Sequence, residues 1–186
     1  VELADLESGK APERNYVAIG KHLAVYGGAV YSYSQSKYDH SDPGPTTKIT
    51  ECYYPIISGD HPFMKGLTKL EEEYGSLENA PDAEFPDLNS FSVIVKAKHF
   101  GTIGAIPDGI EAESSLEGLV INQVDSLDNE EKKLISSSFP QADLDKVVII
   151  QARRKPASLF KTLGMMGGGV LLALAGIAWF FVGSRE

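Results

Sequence analysis

Residues 91–99 read FSVIVKAKH, and this stretch sets the expectation for the fold. Phe91, Val93, Val95 and Ala97 alternate with Ser92, Lys96 and Lys98, and Ile94 alone breaks the pattern. A period of two places one set on a core face and the other in solvent, as in a half-buried antiparallel strand. Toward the N-terminus, residues 46–57 (TTKITECYYPII) repeat the β-forming character, with Pro55 predicting a strand end or a sheet edge. Between the two lies a long excursion, residues 58–86. Its acidic run Glu71–Glu73, Pro81 and Pro86 argue against a strand, and Leu67, Leu70 and Tyr74 suit one face of a short helix.

Further upstream, residues 15–26 (NYVAIGKHLAVY) and 29–34 (AVYSYS) flank Gly27-Gly28. Both glycines tolerate positive φ, so the pattern predicts a tight hairpin. Tyr31 and Tyr33 would share one face of its second arm. A turn follows at residues 41–45 (SDPGP), and residues 1–14 form a polar lead-in.

Toward the C-terminus, residues 103–106 and 116–124 read as short strands on either side of a Pro107-Asp108-Gly109 turn. Asp128 then starts a helix with Glu131 three residues on, a capping box, and Leu134, Ile135 and Phe139 supply its apolar side before Pro140 ends it. Residues 147–150 (VVII) form a buried final strand. The expected domain, residues 15–152, is therefore mainly β: a small barrel or sandwich with one or two short helices.

After a basic juxtamembrane linker, residues 153–162, the character changes. Residues 163–183 read LGMMGGGVLLALAGIAWFFVG, 21 residues without a charge, bounded by Lys161 and Arg185, with a short tail at 184–186. At helical rise they span about 30 Å, the thickness of a bilayer's hydrocarbon core. A single C-terminal transmembrane helix is expected. Trp179 suits the interfacial region, and Arg153, Arg154, Lys155, Lys161 and Arg185 are the charged anchors on either side. Gly164 and Gly168 form a GxxxG pair, and Gly169, Ala173, Gly176 and Gly183 extend a small-residue face suited to packing against other membrane helices. The excess of positive charge before the span predicts that the domain lies on the cytoplasmic side. The chain begins at Val1, so a processed or missing upstream signal or helix would reverse that orientation.

The chain carries 17 basic and 26 acidic residues. Residues 1–152 hold 12 basic and 25 acidic ones, a formal charge of -13. Such a surface repels phosphate backbones, which speaks against nucleic acid as a partner. Its ordinary role is solubility, and its functional one is docking of a basic partner. The single cysteine, Cys52, excludes an intrachain disulfide and a cysteine-cluster zinc site.

Motifs with chemistry are sparse. His40, Asp42, Asp60 and His61, with Cys52 as a further ligand, are the only candidate metal set; no ligand spacing supports it, and loop polarity explains these residues as well. Cys52 beside Tyr53 and Tyr54 reads as a small buried hydrophobe rather than a nucleophile. Gly101, Gly104 and Gly109 form no phosphate-binding fingerprint. Tyr26, Tyr31, Tyr33, Tyr38, Tyr53 and Tyr54 cluster in the first third, as core fillers or, where exposed, as interface residues. No cofactor and no catalytic residue is assigned. The expectation is a non-catalytic accessory subunit or scaffold of a membrane complex, with integral membrane subunits and the lipid bilayer as partners. The alternatives are a membrane-tethered metal-dependent enzyme and a transient assembly factor.

Overall fold

The strand at Val93–Ala97 (β5) lies inside an eight-stranded sheet. The computed structural model describes residues 1–34, 42–86, 88, 91–121, 129–139 and 146–155. The apolar run 163–183, Lys161, Trp179, Arg185, His40, Tyr38, Asp128, Pro140 and residues 122–124 of the expected strand fall outside them. Among the described residues, no helix is long and apolar enough to cross a membrane.

The domain is mainly β, a half-barrel sheet with few short helices. Its other strands are Tyr16–Ile19 (β1), His22–Val25 (β2), Val30–Tyr33 (β3), Ile49–Ile57 (β4), Ile110–Glu113 (β6), Leu116–Val120 (β7) and Val148–Ala152 (β8). The helices are Leu3–Glu7 (α1), Pro62–Tyr74 (α2) and Asn129–Ser138 (α3). Gly75, at φ 74°, ends α2 in the left-handed region that favours glycine.

Two strand pairs act as one ribbon. Tyr16 faces Leu119 and Ile19 faces Leu116 between β1 and β7. His22 faces Glu113 and Val25 faces Ile110 between β2 and β6. The register is common to both pairs, with breaks only around Gly20 and Ser114. The β7 half then pairs with β8, β8 runs parallel to β5, β5 pairs with β4, and β4 pairs with β2. One ribbon thus joins both ends of the curved sheet.

The expected hairpin at Gly27-Gly28 does not form. β2 and β3 lie one after the other along the same edge of β4, with Ala24 opposite Ile56 and Val30 opposite Tyr53. The glycines sit in a single 3-10 turn, Tyr26–Gly28, where Gly27 N–H donates to the Gly109 carbonyl at 2.9 Å. This interruption also explains Pro55, which is central rather than at an edge. The ladder to β2 and β3 has its gap beside Tyr54 and Pro55, so the missing proline N–H falls where that ladder is already broken. Residues 103–105 likewise form a 3-10 turn, and the strand follows the Pro107-Asp108-Gly109 turn as β6.

Both faces of the central strands are buried. Cys52, Tyr54, Ile56, Val93, Val95, Ala97 and Ile150 form one cluster, joined by Leu3 and Leu6 of α1. Tyr53, Ile57, Ile94 and Ile149 form the other, covered by Ile135 of α3 with Phe63 and Met64 of α2 packed against it. The expectation of a solvent face on β5 is therefore wrong: Ile94 is fully buried and Lys96 is only 7% exposed. Ile94, the residue that broke the alternation, is the one the covering helix requires. α2 buries Leu67 and Leu70 as expected, and residues 148–152 form the buried final strand.

Candidate functional site

The sheet topology gathers cations at one end. Because β5 and β8 are parallel, with Lys96 beside Gln151, both strands finish at the same side. Lys98 and His99 leave β5 there, and Arg153 and Arg154 leave β8. With Gln151 and Ala152 they line a shallow, open depression of about 340 Å³. Arg153 has φ 61°, an uncommon left-handed conformation for a residue with a side chain, and its N–H donates to the Glu117 carbonyl at 2.9 Å. Arg154 Nη1 donates to Gln151 Oε1 at 2.9 Å, which orients its guanidinium plane. The His99 ring lies 4.1 Å from that of Phe100. His99 is exposed, and the partial desolvation that remains, with the nearby Arg153 charge, lowers its pKa against the opposing pull of Glu113.

Arg153, Arg154 and Lys155 were legible in the sequence as basic and are exposed here. Lys98 and His99 were not connected with them, since only the parallel pairing of two strands about fifty residues apart unites the four. The residues expected to form a helix-packing face, Gly164, Gly168, Gly169, Ala173, Gly176 and Gly183, lie outside the described residues, as do Lys161, Trp179 and Arg185.

An ion cluster built around the buried Lys96 adjoins the corner. Glu51 Oε1 meets Lys98 Nζ at 2.7 Å, and Glu51 Oε2 meets Lys96 Nζ at 3.0 Å. The Tyr53 hydroxyl donates to Glu51 Oε2 at 3.0 Å, and the Lys96 ammonium stands 5.4 Å from the Tyr53 ring centroid. Burial alone would raise the Glu51 pKa. The bonds from Lys98 and Lys96, the Lys96 charge and the Tyr53 hydroxyl outweigh it and lower the pKa to about 2.

A second polar cluster sits where the ribbon bends. His22 Nδ1 faces the Gly20 carbonyl at 2.9 Å, which can only accept, so this nitrogen carries the proton. His22 Nε2, buried and without a hydrogen bond among the described residues, lies 3.4 Å from Glu113 Oε2. Glu113 Oε1 accepts from the Tyr26 hydroxyl at 2.5 Å, and Tyr26 stacks obliquely on Tyr54 at 4.6 Å. Burial, first, and the Glu113 bond, second, raise the Tyr26 pKa, so the phenol stays protonated as a donor. The sequence had offered no reason to connect these residues.

The proposed metal set is not assembled among the described residues. Asp42 and Asp60 are exposed, while His61 is buried at the start of α2, where its Nδ1 accepts from Phe63 N–H at 3.2 Å as a helix cap. No group of three or more His, Cys, Asp and Glu side chains among the described residues is placed to hold a metal ion. Cys52 is fully buried, and burial pushes its thiol pKa up to about 12, the opposite of what a nucleophile needs. Tyr26, Tyr53 and Tyr54 fill the core, while Tyr33 is exposed.

No family model, curated protein or solved structure matches this chain.

Proposed function

We propose that this chain is a membrane-anchored accessory subunit or scaffold, without catalysis of its own, in a complex of integral membrane proteins. The observation that carries the reading is the 21-residue uncharged run at 163–183, bounded by Lys161 and Arg185. It acts as a single transmembrane helix. Its small-residue face, Gly164, Gly168, Gly169, Ala173, Gly176 and Gly183, allows close backbone approach to neighbouring helices. Placement of the domain on the cytoplasmic side follows from Arg153, Arg154, Lys155 and Lys161 preceding the run, against Arg185 after it. Its acidic surface, away from the corner formed by Lys98, His99, Arg153 and Arg154, suits docking to basic faces of partner subunits.

Gentle detergent extraction from the native membrane, followed by native-mass analysis, tests this. A stoichiometric complex with integral membrane proteins is expected. Replacing Gly169, Ala173 and Gly176 together with isoleucine should remove those partners. Undiminished co-purification of the triple variant would overturn the helix-packing role. Binding only to immature forms of a complex would instead identify an assembly factor.

A further inference from the structure

We propose that His22 and Glu113 form a proton-operated latch between β2 and β6, closed when the His22 ring is an imidazolium and released when it is neutral. The latch lies within the domain and stands independently of the membrane anchor.

Three observations carry it. The first is an unmet acceptor. His22 Nδ1 keeps its proton on the Gly20 carbonyl at 2.9 Å, so in the neutral ring Nε2 is a bare lone pair. The His22 side chain is fully buried, and Nε2 has no hydrogen bond among the described residues. The atom facing it, 3.4 Å away, is Glu113 Oε2, a second acceptor. Glu113 Oε1 is already taken by the Tyr26 hydroxyl. Two acceptors in contact repel unless a proton lies between them. One proton on Nε2 turns the contact into a charge-assisted pair. Burial of the ring opposes that charge, and the facing carboxylate favours it. Glu113 is 31% exposed, which gives the proton a route from solvent.

The second is position. His22 and Glu113 stand opposite each other and are the first pair beyond the break in the ribbon at Gly20 and Ser114. Among the described residues β6 pairs with no strand but β2, so its hold on the sheet is the short ladder from His22 to Val25. The ribbon carries β2 to β4 and β7 to β8. A change at the bend therefore acts where the two ends of the curved sheet meet.

The third is the charge around the ring. Ser58 N–H and Oγ donate to the two Glu7 carboxylate oxygens at 2.8 and 2.6 Å. Leu23 faces Ile57, so Ser58 is level with His22 and brings the Glu7 carboxylate of α1 to this side. Glu111, two residues before Glu113 on the same face of β6, is exposed, as is Lys21 beside His22 in the chain. Tyr26 and Tyr54 contribute phenols whose pKa values burial raises, so they stay neutral. Toward the corner, Glu113 and Arg153 both act on His99. Carboxylates from β6 and α1 thus favour a proton on His22.

Amide hydrogen exchange of the full chain, followed by NMR at about pH 5.5 and about pH 8, spans the range in which an imidazole changes charge. After correction for intrinsic rates, protection of the β2 and β6 amides should fall about tenfold at the higher pH, while that of β5 and β8 stays constant. The proton should leave Nε2 and the neutral ring should remain the Nδ1–H tautomer, which the ring nitrogen shifts report. Glu113→Gln should keep β6 protected at both pH values, because its amide accepts from Tyr26 and donates to the neutral Nε2. His22→Gln should also erase the step. His99→Gln should preserve it. Protection of β5 and β8 reports that each variant folds.

Equal protection of β2 and β6 at both pH values in the wild type overturns the latch, whatever the variants do. A step that survives in Glu113→Gln or in His22→Gln also overturns it. Loss of the step in His99→Gln overturns it in favour of a switch at the corner. A fall shared equally by β5 and β8 overturns it in favour of a change in global stability.

Discussion

Gly118→Ala should destabilise the domain by about 3 kcal/mol. Gly118 is buried in β7, opposite Val17 on one side and Ala152 on the other. A β-carbon there would lie 2.7 Å from Ile150 Cγ2 and closer still to the Gln151 carbonyl oxygen. Ile150 is fully buried in the core and Gln151 is backbone of the adjoining strand, so neither yields without parting β7 from β8. Gly20→Ala is the control: a β-carbon there meets nothing within 4 Å, and its φ is not in the left-handed range. It should be neutral or stabilise by about 0.5 kcal/mol. Urea unfolding of both variants, followed by tyrosine fluorescence, makes the comparison. Equal midpoints would contradict the close approach of the two strands.

Glu51→Gln should cost about 2 kcal/mol, because it removes a carboxylate partner of the Lys96 ammonium, whose side chain is 8% exposed. Glu51→Gln combined with Lys96→Met should recover most of this, since an apolar side chain needs no counter-ion there. The same cluster sets an acid response. The folded pKa of Glu51 lies below its ordinary value of 4.5, at about 2. The unfolded chain therefore takes up the proton first as pH falls. The stabilisation is complete above about pH 4.5 and is lost as pH drops through about 2. Urea midpoints measured across that window should fall for the wild type and show a smaller fall for the double variant. Parallel curves would remove Glu51 from the account of acid stability.

The sequence carried local information well and partner information poorly. The helix bearing Leu67 and Leu70, the strand at 116–120 and the final buried strand were all visible in the periodicity or composition of their own residues. The errors arose where a neighbour decides. Gly27-Gly28 has the composition of a hairpin turn, yet β4 is long enough to accept β2 and β3 in series, and that long-range pairing overrides the local turn preference. Pro55 is tolerated centrally because the adjoining edge is interrupted at the same place. Lys96 read as a solvent residue by its charge, and Glu51, forty-five positions away, makes its burial possible. The corner of Lys98, His99, Arg153 and Arg154 was half legible: a run of basic residues is plain in any sequence, whereas parallel pairing of β5 with β8 is a property of the fold alone.

The most direct measurement is alkaline carbonate extraction of the membranes in which the chain resides. The wild type should remain in the membrane pellet. A variant carrying Leu172→Arg and Leu174→Arg should be released, because each central arginine costs about 3 kcal/mol of insertion free energy. Release of the wild type by carbonate, in step with peripheral proteins, would contradict the anchor and with it the proposed function.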